Sequence, residues 1–85
     1  MLYKAVGVAS ENVDHSHNVP IHEIVVGDRV VKLPITYFGL WEALNVYGGG
    51  HRDEGRQYFI DSGIGEEIFD EIMNVLVAEG VVVVE

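Results

Sequence analysis

The stretch HEIVVGDRVVKL, His22–Leu33, constrains this chain more than any other. Two β-branched runs flank Gly27-Asp28. A two-residue connection between such runs closes an antiparallel hairpin, and glycine ahead of aspartate suits a type II′ turn, because glycine takes the positive φ required at the first central position. The arms are expected over Ile24–Val26 and Val30–Leu33. Pro34 follows and is expected to end the second arm, since it has no N–H for the ladder.

The remaining elements must cover this hairpin. LYKAVGVA (Leu2–Ala9) is apolar, is followed by the polar run SENVDHSHN, and reads as a strand. In ITYFGLWEALNVYGGG the period changes. Phe38, Trp41 and Leu44 share a helical face that Leu40, Ala43 and Tyr47 widen, giving a helix from about Thr36 to Tyr47 with Gly48-Gly49-Gly50 as its C-terminal stop. Aromatic residues at this spacing fill a core more often than they form a binding platform. Asp53 is placed to cap a short helix through Ile60, with Tyr58 and Phe59 as its buried points, although Gly55 disfavours it by ~1 kcal/mol relative to alanine. EEIFDEIMNVLVAEG is the clearest helix. Ile68, Phe69, Ile72, Met73, Val75, Leu76 and Val77 form its apolar face, and Glu66, Glu67, Asp70, Glu71 and Asn74 its polar one. Glu66 and Glu67 suit the positive end of the helix dipole, and Gly80 suits the C-terminal cap. Val81–Val84 then reads as a buried strand, which is expected to pair with the N-terminal strands. The sum is a single α+β domain over residues 1–85: a small antiparallel sheet, made of the N-terminal strand, the hairpin and the C-terminal strand, packed against two or three helices.

Charge narrows the partners. Fourteen acids oppose five bases, for a net charge of −9, and no base follows Arg56. Such a chain repels phosphate backbones, so direct nucleic-acid binding is not expected. A protein partner with a basic surface would be attracted, and the same charge also serves solubility. The absence of cysteine excludes disulfides, thiolate metal sites and thiol catalysis, and favours a cytoplasmic setting. No run approaches the ~20 apolar residues of a membrane helix, and the first residues do not resemble a signal peptide.

Candidate chemistry is sparse. DHSHNVPIH brings His15, His17 and His22 close in sequence beside Asp14, and neutral imidazoles could ligate zinc or nickel or respond to pH. The spacing fits no closed zinc motif, so the stretch is read as a polar loop. Ser10, Ser16, Ser62 and Thr36 lie in no nucleophile motif, and Ser62 suits a turn or helix cap. GGGHRDEG follows a helix and lacks the Lys-Ser/Thr of a phosphate loop. The adjacent acids Asp53/Glu54 and Glu66/Glu67 diverge on a helix, which suits solvation better than acid–base work. No catalytic residue, metal or cofactor is assigned.

The hairpin arm VVKL, the run GLWEAL and the segment EEIFDEIMNVLVAEGVVVV together resemble a winged-helix domain, and within that group the PqqD-like peptide-binding modules that act as recognition elements in ribosomal-peptide maturation. The resemblance spans roughly Glu23 to the end; the glycine triplet and the weak second helix depart from the pattern. It implies a non-catalytic adaptor in which a partner peptide adds as a strand beside the hairpin and packs on the last helix. By position this places Val30, Val31, Lys32 and Leu33 at the edge, with Asp70, Asn74 or Val77 nearby. The third helix of such folds often binds DNA, but here it presents Glu66, Glu67, Asp70 and Glu71 and no base.

Three functions follow as expectations. The first is a non-enzymatic protein-interaction module that uses the sheet edge and the acidic last helix, through Val30–Leu33, Glu66, Glu67, Asp70, Glu71 and Asn74. The second is an inhibitor whose carboxylates imitate nucleic-acid phosphates and block a basic protein. The third is a metal-responsive regulator built on His15, His17 and His22. An open hairpin edge also permits self-pairing into a homodimer.

Overall fold

The computed structural model describes residues 1–61, 63 and 65–85; the side chains at positions 58, 59 and 66 are not among those described. The burial expected of Tyr58 and Phe59, and the turn or cap expected of Ser62, therefore lie outside the described residues. In chain order the elements are β1 (Leu2–Ala5), β2 (Val8–Asp14), β3 (Ile21–Val26), β4 (Arg29–Pro34), α1 (Ile35–Val46), β5 (Gly50–His51), α2 (Arg52–Asp61), α3 (Glu66–Ala78) and β6 (Val82–Val84). The class is α+β, with antiparallel strand pairing throughout.

The hairpin forms where the turn chemistry puts it. Val26 faces Arg29 across Gly27-Asp28, and Gly27 has φ 61°. Among the described residues only glycines take positive φ, so Asp28 keeps a negative one and the turn is of the II′ kind. Both arms run longer than expected, and Pro34 stays in the ladder opposite Ile21. The hydrogen-bond phase explains this. The Val26–Arg29 pair closes the turn, and the Ile35 N–H donates to the Pro20 carbonyl at 3.0 Å. Bonded and non-bonded pairs alternate along an antiparallel ladder. Arg29, Val31 and Leu33 therefore bond toward β3, while Val30, Lys32 and Pro34 turn their backbone groups away from it. The N–H that Pro34 lacks would have pointed outward, so no ladder bond is lost.

The strands divide into two sheets, ordered β5-β1-β6 and β2-β3-β4, rather than forming one. Gly7 is the reason. Its φ of 95° breaks the expected strand Leu2–Ala9, so that β1 enters the first sheet and β2 the second. A Cβ at Gly7 would lie 2.8 Å from both the Val25 carbonyl oxygen and Val26 Cγ2, so the crossing needs glycine for space as well as for conformation. The terminal valines pair with the N-terminal strand as expected, through Tyr3↔Val84, Lys4↔Val83 and Ala5↔Val82. Val81 and Val82 are buried, but Val83 and Val84 are partly open to water. The polar run after Ala9 is also more ordered than expected. Ser10–Asp14 continue β2 past a register shift, so the loop shrinks to residues 15–20. Polar residues and a bulge are common in an edge strand that faces water on most sides.

One core joins both sheets to the helices. Ile24, Val31 and Leu33 meet Phe38, Leu40, Trp41 and Leu44 of α1 and Phe69, Ile72, Met73 and Leu76 of α3, with Tyr3, Val81 and Val82 from the other sheet. Helices α1 and α3 end in matching C-terminal caps. Gly49 and Val81 each donate back to Leu44 and Leu76 (2.8 and 3.1 Å), while Gly48 and Gly80 donate to Asn45 and Val77 (3.4 and 3.1 Å), all four bonds running between backbone groups. Helix α2 starts at Arg52, which puts Asp53 in its first turn instead of at its cap. Among the described residues no helix is long and apolar enough to cross a membrane.

Candidate functional site

Alternation along β4 separates two kinds of side chain. Val31 and Leu33 enter the core, whereas Val30 and Lys32 face water. Because β4 is the last strand in its sheet, the outward backbone groups of Val30 and Lys32 meet no further strand among the described residues. The register adds an apolar track behind this edge. Val8 lies opposite Val25, and Val25 opposite Val30, with exposures of 71%, 39% and 54%. A row of valines thus crosses the outer face of the sheet and stops at the open edge. The next row sets Glu23 opposite Lys32, a cross-strand pair of opposite charge.

The acidic helix contributes less than its sequence implies. Glu67, Glu71 and Asn74 are exposed on the outer face of α3; the side chain of Glu66 is not described. Asp70 is not a free carboxylate. Its Oδ1 accepts hydrogen bonds from Arg52 Nη2 at 3.0 Å and from Arg56 Nη2 at 2.9 Å. The hydrogen bond from Arg52, and after it that from Arg56, holds the Asp70 carboxyl below its ordinary pKa. Arg52 also donates to Asn74 Oδ1 and to the Tyr3 hydroxyl, each at 3.3 Å, and its guanidinium lies 5.7 Å from the centre of the Tyr3 ring. The Tyr3 bond is the main cause of the raised pKa of Arg52. Asp70 and Asn74 are therefore engaged in joining α2 to α3. The spacing of Arg52 and Arg56, four residues apart, puts both on one face of α2, but nothing in the sequence names Asp70 as what that face meets.

The expected composite interface is also divided in space. Val31 and Leu33 share the core with α3, so Val30 and Lys32 project from the opposite face of the hairpin sheet. The core separates their side chains from the outer acids of α3. Only the backbone edge and the valine row remain together as one surface.

The histidines do not converge. His22 is not a loop residue; it lies on β3 and stacks on Phe38, with ring centres 4.2 Å apart and planes within 10°. His15 and His17 are exposed in the β2–β3 loop, where His17 Nε2 lies 3.4 Å from Asp14 Oδ2. Asp14 accepts from the backbone N–H and the hydroxyl of Ser16 at 2.8 and 2.6 Å. The hydroxyl bond is the main cause of its lowered pKa. Among the described residues no three His, Cys, Asp or Glu side chains gather as metal ligands would.

No family model, curated protein or solved structure matches this chain. What the site can do follows from its own geometry. An edge with unpaired backbone groups and a flanking apolar row meets the needs of an extended peptide adding as a strand.

Proposed function

We propose that the protein is a small, non-enzymatic interaction module that takes an extended segment of a protein partner as a further strand alongside β4. The observation that carries this reading is the open backbone of Val30 and Lys32 at the end of the Val8–Val25–Val30 row. A partner strand would satisfy the outward donors and acceptors, and an apolar side chain at alternate positions would continue the row and shield it from water. This is the binding mode implied by the resemblance to PqqD-like modules. The net charge of −9 favours a partner with basic character and hastens its approach. Glu67 and Glu71 act in this reading as steering charges, remote from the docked strand. Phosphate mimicry draws less support, because two arginines already neutralise Asp70. A cysteine-free domain of this size suits the cytoplasm, and we include that setting in the proposal.

Lys32→Pro tests the reading. Lys32 has its N–H on the outward side, so proline there removes a donor for the added strand and none from the β3–β4 ladder. Pro34 already occupies an equivalent outward position. Peptides selected from a random displayed library on the wild type should bind Lys32→Pro about tenfold more weakly or worse, with the melting midpoint little changed. Hydrogen exchange at Val30 and Lys32 should slow when such a peptide binds. Equal binding by the two proteins, or protection confined to other amides, would defeat strand addition.

A further inference from the structure

A second surface lies between α1 and α2, as a cleft of about 460 Å3 to which β4 contributes no residue. Gly39 and Ala43, four apart on α1, put little side chain into it, and Gly55 lines it from α2, where a side chain would instead meet Phe69 of α3. The floor is Leu40, Leu44 and Met73, all buried apart from the surface they offer to the cleft. At the rim Val46 and Tyr47 are 71% and 80% exposed, a large apolar area left in water.

The charge around the cleft has one sign. Glu42 and Glu54 line it, no lysine or arginine does, and neither glutamate is in an ion pair among the described residues. The arginines of α2 turn instead to Asp70 on α3. The volume lies within the usual range for ligand pockets and accommodates one large side chain. We propose that this cleft docks a partner segment in which an apolar anchor residue is flanked by lysine or arginine. The anchor rests on Leu40, Leu44 and Met73 with Tyr47 beside it, and the flanking cations meet Glu42 and Glu54. Interfaces commonly concentrate their energy in one such desolvated anchor, while rim charges select among partners. The site is separate from strand addition at β4, so either proposal can fail alone.

The test uses two synthetic peptides, each with a tryptophan–leucine anchor, one flanked by lysines and the other by glutamates. Methyl NMR of Ala43 and Met73 reports occupancy of the cleft. The lysine-flanked peptide should shift both methyl signals in a saturable manner, and the glutamate-flanked one should not. Glu42→Lys combined with Glu54→Lys should weaken binding about tenfold or more, since each substitution sets like charges against one another at the rim. Gly39→Leu, at a cleft-lining position where nothing lies within 4 Å of an added Cβ, should abolish binding by filling the cleft, with a melting curve to check that the variant is folded. Failure of the lysine-flanked peptide to move either methyl signal would overturn the proposal. Equal binding of the two peptides, or binding that survives both the charge reversal and Gly39→Leu, would do the same.

Discussion

The indole N–H of Trp41 donates to the backbone carbonyl of Val6 across 3.1 Å. Val6 sits where the chain passes from one sheet to the other, and its own N–H donates to the Val81 carbonyl at 2.9 Å. Helix α1, the segment leading into β6 and the crossing between the sheets are thus fastened at one residue. Trp41 is almost fully buried, so its ring also fills the space beneath this joint. Trp41→Phe keeps an aromatic ring but removes the donor and some volume. It should lower stability by about 1–3 kcal/mol, with part of the loss coming from the unpaired Val6 carbonyl. Urea unfolding of the two proteins measures this; an unchanged midpoint would mean that the bond does not hold the sheets together.

Two glycines should respond in opposite directions to the same change. Gly39 lies inside α1 with nothing within 4 Å of an added Cβ, so Gly39→Ala should stabilise the protein by ~0.5–1 kcal/mol through the backbone freedom that alanine removes from the unfolded chain. At Gly7 the φ is 95°, and the added Cβ would meet backbone at 2.8 Å. Gly7→Ala should destabilise by more than ~1 kcal/mol, since both the conformation and the space are wrong for a side chain. Thermal melts of the pair side by side decide the matter. A destabilised Gly39→Ala or a neutral Gly7→Ala would contradict these backbone assignments.

The parts of the fold set by local chemistry were legible in the sequence. Gly27-Asp28 announced the hairpin, the spacing of Phe38, Trp41 and Leu44 announced α1, and Gly80 announced the end of α3. The division into two sheets was not legible, because the need for glycine at position 7 comes from Val25 and Val26, which only the folded chain brings close. The same limit applied to Asp70. Its place on the polar face of α3 was correct, but α2 supplies the two arginines that bind it. His22 was hidden by its neighbours. Polar residues around it suggested a loop, while strand register delivered its ring to Phe38. Of the candidate site, the resemblance placed the whole run Val30–Leu33 at the edge, and its division into outward Val30 and Lys32 and buried Val31 and Leu33 came only with the strand register. The valine row behind that edge required the pairing of Val8 with Val25.

Asp70 makes stability depend on acid. Its carboxyl is held below the ordinary range by Arg52 and Arg56, so the folded state binds its proton less readily than the unfolded chain does. A depressed carboxyl pKa contributes stability that is fully present above the unfolded value, near 3.9, and is lost as pH falls through the folded value. Asp70→Asn should therefore melt below the wild type at neutral pH. The gap between them should hold down to about pH 5 and shrink as the wild-type carboxylate becomes protonated. Melting curves from about pH 2.5 to 7 give the comparison. A gap that stays constant across the acid range would show that Asp70 contributes nothing through its charge.

The histidines should separate by role. His22 covers the Phe38 ring, and Phe38 in turn lies 5.7 Å from Trp41, so the imidazole is the outer member of an aromatic stack that reaches into the core. Removing it exposes Phe38 and loses a ring–ring contact worth ~0.5–1.5 kcal/mol beyond the area it buries. His22→Ala should lower stability by about 1–2 kcal/mol, and His22→Phe should recover most of that loss, because a phenyl ring preserves the stacking. His15 and His17 are exposed in the loop, and the contact of His17 is a surface pair with Asp14. Alanine at either position should change stability by no more than ~0.5 kcal/mol. Urea unfolding of the four variants tests the assignment, which fails if the loop variants lose as much as His22→Ala or if phenylalanine rescues nothing.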